Sequence, residues 1–185
     1  PYDGGKTPRD VIATLERMIL DKDGDAAIAV LNQARKYSTS ILETNQTIRS
    51  IADPKIGDTV VKSGRTTGVT KGIVDGSGTY FITYPVGRVG VEGFIIVPEN
   101  KANTNDVEIS QGGDSGSIWV DPNTGNAVGL HFAGETNPMP SEEHAIACYL
   151  SRVFKRLDIS VLSAPEPQDA QITHSTTFAT LASEL

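Results

Sequence analysis

From residue 59 to residue 150 the sequence keeps returning to one pattern, a short apolar run closed by Gly, Asp or Asn. The runs cover 59–62, 66–74, 79–84, 86–97, 107–110, 118–120 and 127–132, and 145–150 forms a last one. Runs this short, rich in Val, Ile and Thr and bounded by turn-formers, predict strands. Asp121-Pro122-Asn123-Thr124-Gly125 is one of the intervening turns. Regularly spaced strands leave few architectures, and the chain is expected to be all-β, as a barrel or a sandwich. Its 18 glycines and 10 prolines favour the same class over a helical one.

The flanking segments are less regular. Residues 11–20 are apolar with Glu16 and Arg17 interleaved, which suits a helix or a strand equally. Asp21-Lys22-Asp23-Gly24 is a turn, and 26–31 is a short buried run. Residues 33–50 are polar and read as a linker over a surface, closed by Asp53-Pro54 and Gly57-Asp58. Residues 151–157 predict one or two helical turns with Val153, Phe154 and Leu157 on one face. Pro165, Pro167 and the Ser, Thr and Ala content of 163–185 predict a tail of little independent structure.

Composition excludes several function classes. A net charge of −7 argues against a nucleic-acid surface. No run of about 18 apolar residues is present to cross a membrane as a helix. A single cysteine, Cys148, rules out an intrachain disulfide and reads as a small buried apolar residue. The acid-rich stretches 21–25 and 99–106 are candidate calcium sites, but neither has EF-hand spacing and both suit solvated loops. No cofactor is expected. The sequence opens at Pro1 with no signal peptide, so further residues are expected upstream. The compartment is not indicated.

The chemistry concentrates in Gly112-Gly113-Asp114-Ser115-Gly116-Ser117. Three glycines free the backbone to adopt φ > 0 and to approach a substrate closely. A turn of this kind can aim successive N–H groups at one point, as an oxyanion hole requires, and carries Ser115 as a nucleophile. The same residues also suit an ordinary hairpin turn.

Further motifs carry a resemblance. Lys62-Ser63-Gly64-Arg65-Thr66-Thr67-Gly68 with Gly72-Ile73-Val74, the serine turn, Val128-Gly129-Leu130-His131-Phe132-Ala133-Gly134 and Ala145-Ile146-Ala147 together resemble bacterial trypsin-like serine peptidases over residues 1–160. The resemblance implies a chymotrypsin-like double β-barrel with a short C-terminal helix, the first barrel incomplete in this chain. Residues 1–52 would be the remainder of that barrel and a linker, 53–162 the second barrel and helix, and 163–185 the tail. It implies a serine endopeptidase acting on a polypeptide through an acyl-enzyme at Ser115, with Gly113 and Ser115 N–H groups as oxyanion donors. Asp114 would bond internally to shape the turn, and Arg65 would be structural. Asp25-Ala26-Ala27-Ile28-Ala29 matches the strand that carries the family's aspartate. Asp25 would then orient a histidine base; otherwise it is a turn aspartate.

The sequence departs from the family at the base. No histidine precedes Asp25, and His131, His144 and His174 all follow Ser115. The expected base therefore lies upstream of Pro1, on an N-terminal fragment of the same precursor bound non-covalently to this chain. Ser110, His131, Phe132, Ala133 and Gly134 would line the substrate pocket. His131 and Ser110 also match pocket residues of glutamyl endopeptidases, which implies cleavage after Glu or Asp; alternatively His131 is a buried strand histidine. Two other classes remain open: an inactive relative serving as a binding or scaffolding module, and a flavodoxin-like or hydrolase α/β fold with Ser115 on a strand-to-helix elbow. The second is weakened by Ser117 in place of a glycine and by the β-prone residues after Ser115.

Overall fold

The computed structural model describes residues 6–32, 37–38, 40–99, 108–135 and 143–162. The elements follow as β1 (Ala13–Asp21), β2 (Gly24–Leu31), β3 (Ser50–Ile51), β4 (Thr59–Gly64), β5 (Gly68–Tyr84), β6 (Gly87–Pro98), β7 (Ile118–Val120), β8 (Asn126–Gly134), β9 (Ala145–Tyr149) and α1 (Leu150–Leu157). The expected all-β class with one short helix is what forms. Residues 11–20 resolve as strand, paired antiparallel with β2.

The larger sheet closes on itself. Its order is β3-β8-β7-β4-β5-β6-β9, and β8 also pairs with β9, so six strands form a ring with β3 added to β8 in parallel. Closure removes the open edges that would otherwise template association. Alternation then sorts side chains between two cores. Val60, Val74, Phe94, Ile96, Ile109, Trp119, Val128, Ala145 and Ala147 fill the ring. Outside it, Val120, Ala127, Leu130 and Cys148 meet Ile19, Ala26 and Ile28 of the β1–β2 hairpin and Leu150, Val153 and Leu157 of α1. The helix thus clamps the hairpin to the barrel wall, with Arg156 donating to Asp21 at 2.7 Å and the Glu92 amide donating to Lys22 O at 2.9 Å. Gly24 sits so close to Val153 and Cys148 that a Cβ would come within 2.9 Å of Val153.

Several local expectations change. Segments 66–74 and 79–84 belong mostly to one long β5, which bends at a bulge between Val74 and Gly76 instead of breaking at its glycines. Residues 108–110 do not join the sheet, while 107 lies outside the described residues. The linker is also more structured than its polarity suggests, with a bridge between Ser40 and Thr47 and the short β3. Phe154 is only partly buried on the helix face that Leu150, Val153 and Leu157 present to the core. Most of the acidic stretch 99–106, the tail 163–185 and His174 lie outside the described residues. Among the described residues no helix is long and apolar enough to cross a membrane, and no cluster of metal-binding side chains occurs.

Candidate active site

The serine turn is built on a buried charge. β4 alternates Val60, Lys62 and Gly64 inward, which puts the Lys62 ammonium inside the barrel, 5.5 Å from the Trp119 ring centroid. There it donates to Thr67 Oγ1 at 2.8 Å and to Asp114 Oδ2 at 3.1 Å, with both ionic side chains fully buried. Asp114 also accepts from Thr67 Oγ1 at 2.6 Å, from the Thr66 amide at 2.7 Å and from the Gln111 amide at 3.1 Å. Burial pushes the Asp114 carboxyl up, but the Thr67 hydroxyl, the neighbouring amides and Lys62 outweigh it and hold the group down at about 2. Gly64 is required beneath it, since a Cβ there would overlap the carboxylate. A charge with this many donors is satisfied inside the protein, and it pins the middle of the turn.

That anchorage fixes the backbone on either side. Gly113 and Gly116 have φ of +98° and +90°, a region other residues occupy only under strain. The Asp114 amide donates to Gln111 O at 3.0 Å, the Gly116 amide to His131 O at 2.8 Å and the Ser117 amide to Asp114 O at 3.0 Å. Ser117 Oγ donates to Asp114 O at 2.5 Å. Among the described residues the Gly113 and Ser115 amides have no acceptor, and Ser115 itself is exposed. Arg65 and Thr66 Oγ1 press against Gly113, so a side chain there would collide with them. Arg65, far from Ser115 in sequence, is a direct neighbour of the turn.

Asp25 is half-buried on β2, facing Leu20 across the hairpin. Tyr84, the last residue of β5, donates its hydroxyl to Asp25 Oδ2 at 2.8 Å. Burial raises the Asp25 carboxyl above its ordinary value and the Tyr84 bond opposes that. Asp25 lies against Cys148, whose thiol is pushed up to about 12, mainly by burial. Cys148 Sγ in turn reaches Leu130 O at 3.6 Å, next to the His131 carbonyl that holds Gly116. Asp25 thus sits against Cys148 of β9 and the serine turn against His131 of β8, the strand paired with β9, and among the described residues no hydrogen bond joins Asp25 to Ser115.

The expected pocket strand is the end of β8. His131 points into the barrel beside Trp119, ring centroids 6.3 Å apart, and is only 3% exposed. Burial, then the nearby Lys62 charge, lower it to about 4 against the pull of Asp114, so the ring is neutral at neutral pH. Among the described residues its Nδ1 has no hydrogen-bond partner. Phe132, Ala133 and Gly134 are partly exposed, and Ser110 is buried with its hydroxyl against Gly134. Glu143 fixes that segment from behind, accepting from the Ile109 amide at 2.9 Å. Burial and Glu135 push its carboxyl up to about 7. His144 Nδ1 lies 3.9 Å from Glu135.

Sequence reasoning missed Lys62, Tyr84 and Glu143. Lys62 was findable, because it shares the inward parity of Val60. Tyr84 and Glu143 make contacts 59 and 34 residues away in sequence, and no local signal encodes those.

No protein-family model and no curated protein matches the sequence. Solved structures do. A glutamic acid-specific serine protease that uses a histidine triad in substrate binding superimposes with a TM-score of 0.65 at 23% identity, covering 86% of this chain and 76% of that one. A chymotrypsin from Cellulomonas bogoriensis gives 0.64 at 17% identity, covering 82% and 76%. Thermobifida fusca protease A gives 0.63 at 17%, covering 82% and 75%. At such identities the shared property is architecture: the chain has the chymotrypsin-like fold of bacterial serine proteases.

Proposed function

We propose that this chain is the serine-bearing part of a serine endopeptidase. Ser115 attacks the scissile carbonyl, and the Gly113 and Ser115 amides stabilise the tetrahedral oxyanion. Asp25 orients a histidine base carried by a segment N-terminal to Pro1. The observation that carries the reading is selective: within 113–117 the amides of residues 114, 116 and 117 are all bonded, and the two left free flank an exposed serine hydroxyl. The Lys62–Asp114 pair supports it by holding those two donors still.

On this reading residues 1–52 contribute a remnant of the first barrel and a linker, and 53–162 form the second. The bulge between Leu15 and Arg17 brings Leu15, Met18, Ala27 and Ala29 onto the face that carries Asp25. Leu15 and Met18 are 56% and 62% exposed there. That apolar face beside Asp25 suits the histidine-bearing segment of the same precursor. Ser110 and 131–134 line the substrate pocket, and the unpartnered His131 Nδ1 suits an acidic side chain, which gives cleavage after Glu or Asp. Ser115→Ala should lower peptide hydrolysis by the protein carrying its histidine segment at least ~10⁴-fold. A peptide-library profile reads specificity, and dominant cleavage after Arg, Lys or large apolar residues would remove the acidic preference.

A second reading is an inactive relative that uses the barrel for binding. It is favoured by His131, whose ring lies buried in the barrel against Trp119. Ser115→Ala leaving hydrolysis unchanged, with the histidine segment present, would select it.

A further inference from the structure

The β5–β6 ribbon reaches beyond the barrel. Past the bulge at Val74/Gly76 it pairs without interruption from Gly76↔Ile95 to Tyr84↔Gly87, and Pro85-Val86 makes its tip. Its two faces differ. Thr79, Phe81 and Thr83 are exposed, whereas Tyr80, Ile82 and Tyr84 are partly buried. This period of two turns the second set inward, and the chain end of that set is the hydroxyl on Asp25. The contact spans 59 residues and joins the barrel to the separate β1–β2 hairpin.

We infer that Tyr84 is a positioning residue for Asp25, holding Oδ2 so that Oδ1 faces the imidazole of the histidine-bearing segment. This rests on the peptidase reading above. A carboxylate on an isolated two-stranded sheet can swing with its side chain. A donor 2.8 Å from one oxygen fixes its χ2 rotation and leaves the other oxygen's lone pairs free. The same bond favours the charged form, which burial disfavours. Tyr84 and Cys148 are the titratable groups in contact with Asp25, and both are held protonated by burial, so neither competes by charging at neutral pH.

The test is Tyr84→Phe in the protein carrying its histidine segment, with two readouts. Steady-state kinetics should show kcat down about tenfold with KM within about twofold, and the acid limb of kcat/KM displaced to higher pH, because a lost hydrogen bond to a charged group is worth about one decade. Carbon-13 NMR titration of the Asp25 carboxyl in the 185-residue chain should show its midpoint rise in the variant. Tyr84→Leu, which removes the ring as well, separates packing from the hydroxyl: a larger stability loss than that of Tyr84→Phe is expected. Wild-type activity with unchanged kinetics and an unmoved Asp25 midpoint in Tyr84→Phe overturns the Tyr84 role and leaves the peptidase reading standing. An inactive wild type overturns both.

Discussion

The barrel and the β1–β2 hairpin answer the same problem differently. The barrel closes its ring, buries Trp119, Phe94 and Ile109 completely, and even shelters an ion pair. The hairpin has two strands and one covered face; Ile19, Ala26 and Ile28 lean on the barrel while Leu15, Met18 and Val30 remain exposed. Two strands alone are marginal in water. The serine turn therefore sits on a self-sufficient scaffold, whereas Asp25 sits on an element whose stability is borrowed from α1, the barrel wall and Tyr84. The geometry of the Ser115 turn is inherent to this chain; that of Asp25 is conditional on what it packs against.

The strongest way to break that contrast is to remove half of the buried pair. Asp114→Ala leaves the Lys62 ammonium uncompensated inside the barrel, a loss of about 3–5 kcal/mol. Thermal or denaturant unfolding measures it, and a variant within about 0.5 kcal/mol of wild type would show that the turn is not anchored this way.

A pH experiment sharpens the same point. His131 is lowered from 6.5 to about 4, so the unfolded chain binds its proton first and stability is lost as pH falls through that window. The contribution at neutral pH is on the order of 3 kcal/mol. Glu143, raised to about 7, acts with the opposite sign, because its folded carboxyl keeps a proton that the unfolded chain has released. Comparing His131→Gln with wild type isolates the first effect: the variant should lose less stability between pH 7 and pH 4.5 than wild type does. Parallel curves would place His131 in a solvated site.

The smallest effect is expected on the hairpin's open face. Leu15→Ser with Met18→Ser should change stability by no more than about 0.5 kcal/mol, since both side chains are exposed. Capture of the histidine-bearing segment in a pull-down should nonetheless be lost. A large drop in stability would mean this face is already covered, and unimpaired capture would put the segment elsewhere.

Much of the barrel was legible because strands announce themselves locally. Alternation and turn residues gave the ends of β7, β8 and β9 within a residue or two. The serine turn was legible for the same reason, Gly113 and Gly116 being needed at the φ values they adopt, while Gly112 does not take positive φ. What stayed hidden depends on pairing between distant segments. The merger of two runs into β5 follows from β6 lying alongside, which stabilises glycines that look like breaks in isolation. Residues 11–20 became strand only because β2 was there to pair. His131 suited both a pocket residue and a buried strand histidine, and its burial beside Trp119 depends on strand pairing that no local pattern encodes.

Fluorophosphonate labelling bears most directly on the serine turn. With the histidine-bearing segment present, the probe should form one covalent adduct, and peptide mapping by mass spectrometry should locate it on Ser115 and find none in Ser115→Ala. An unlabelled protein, or an adduct on another residue, would contradict the account.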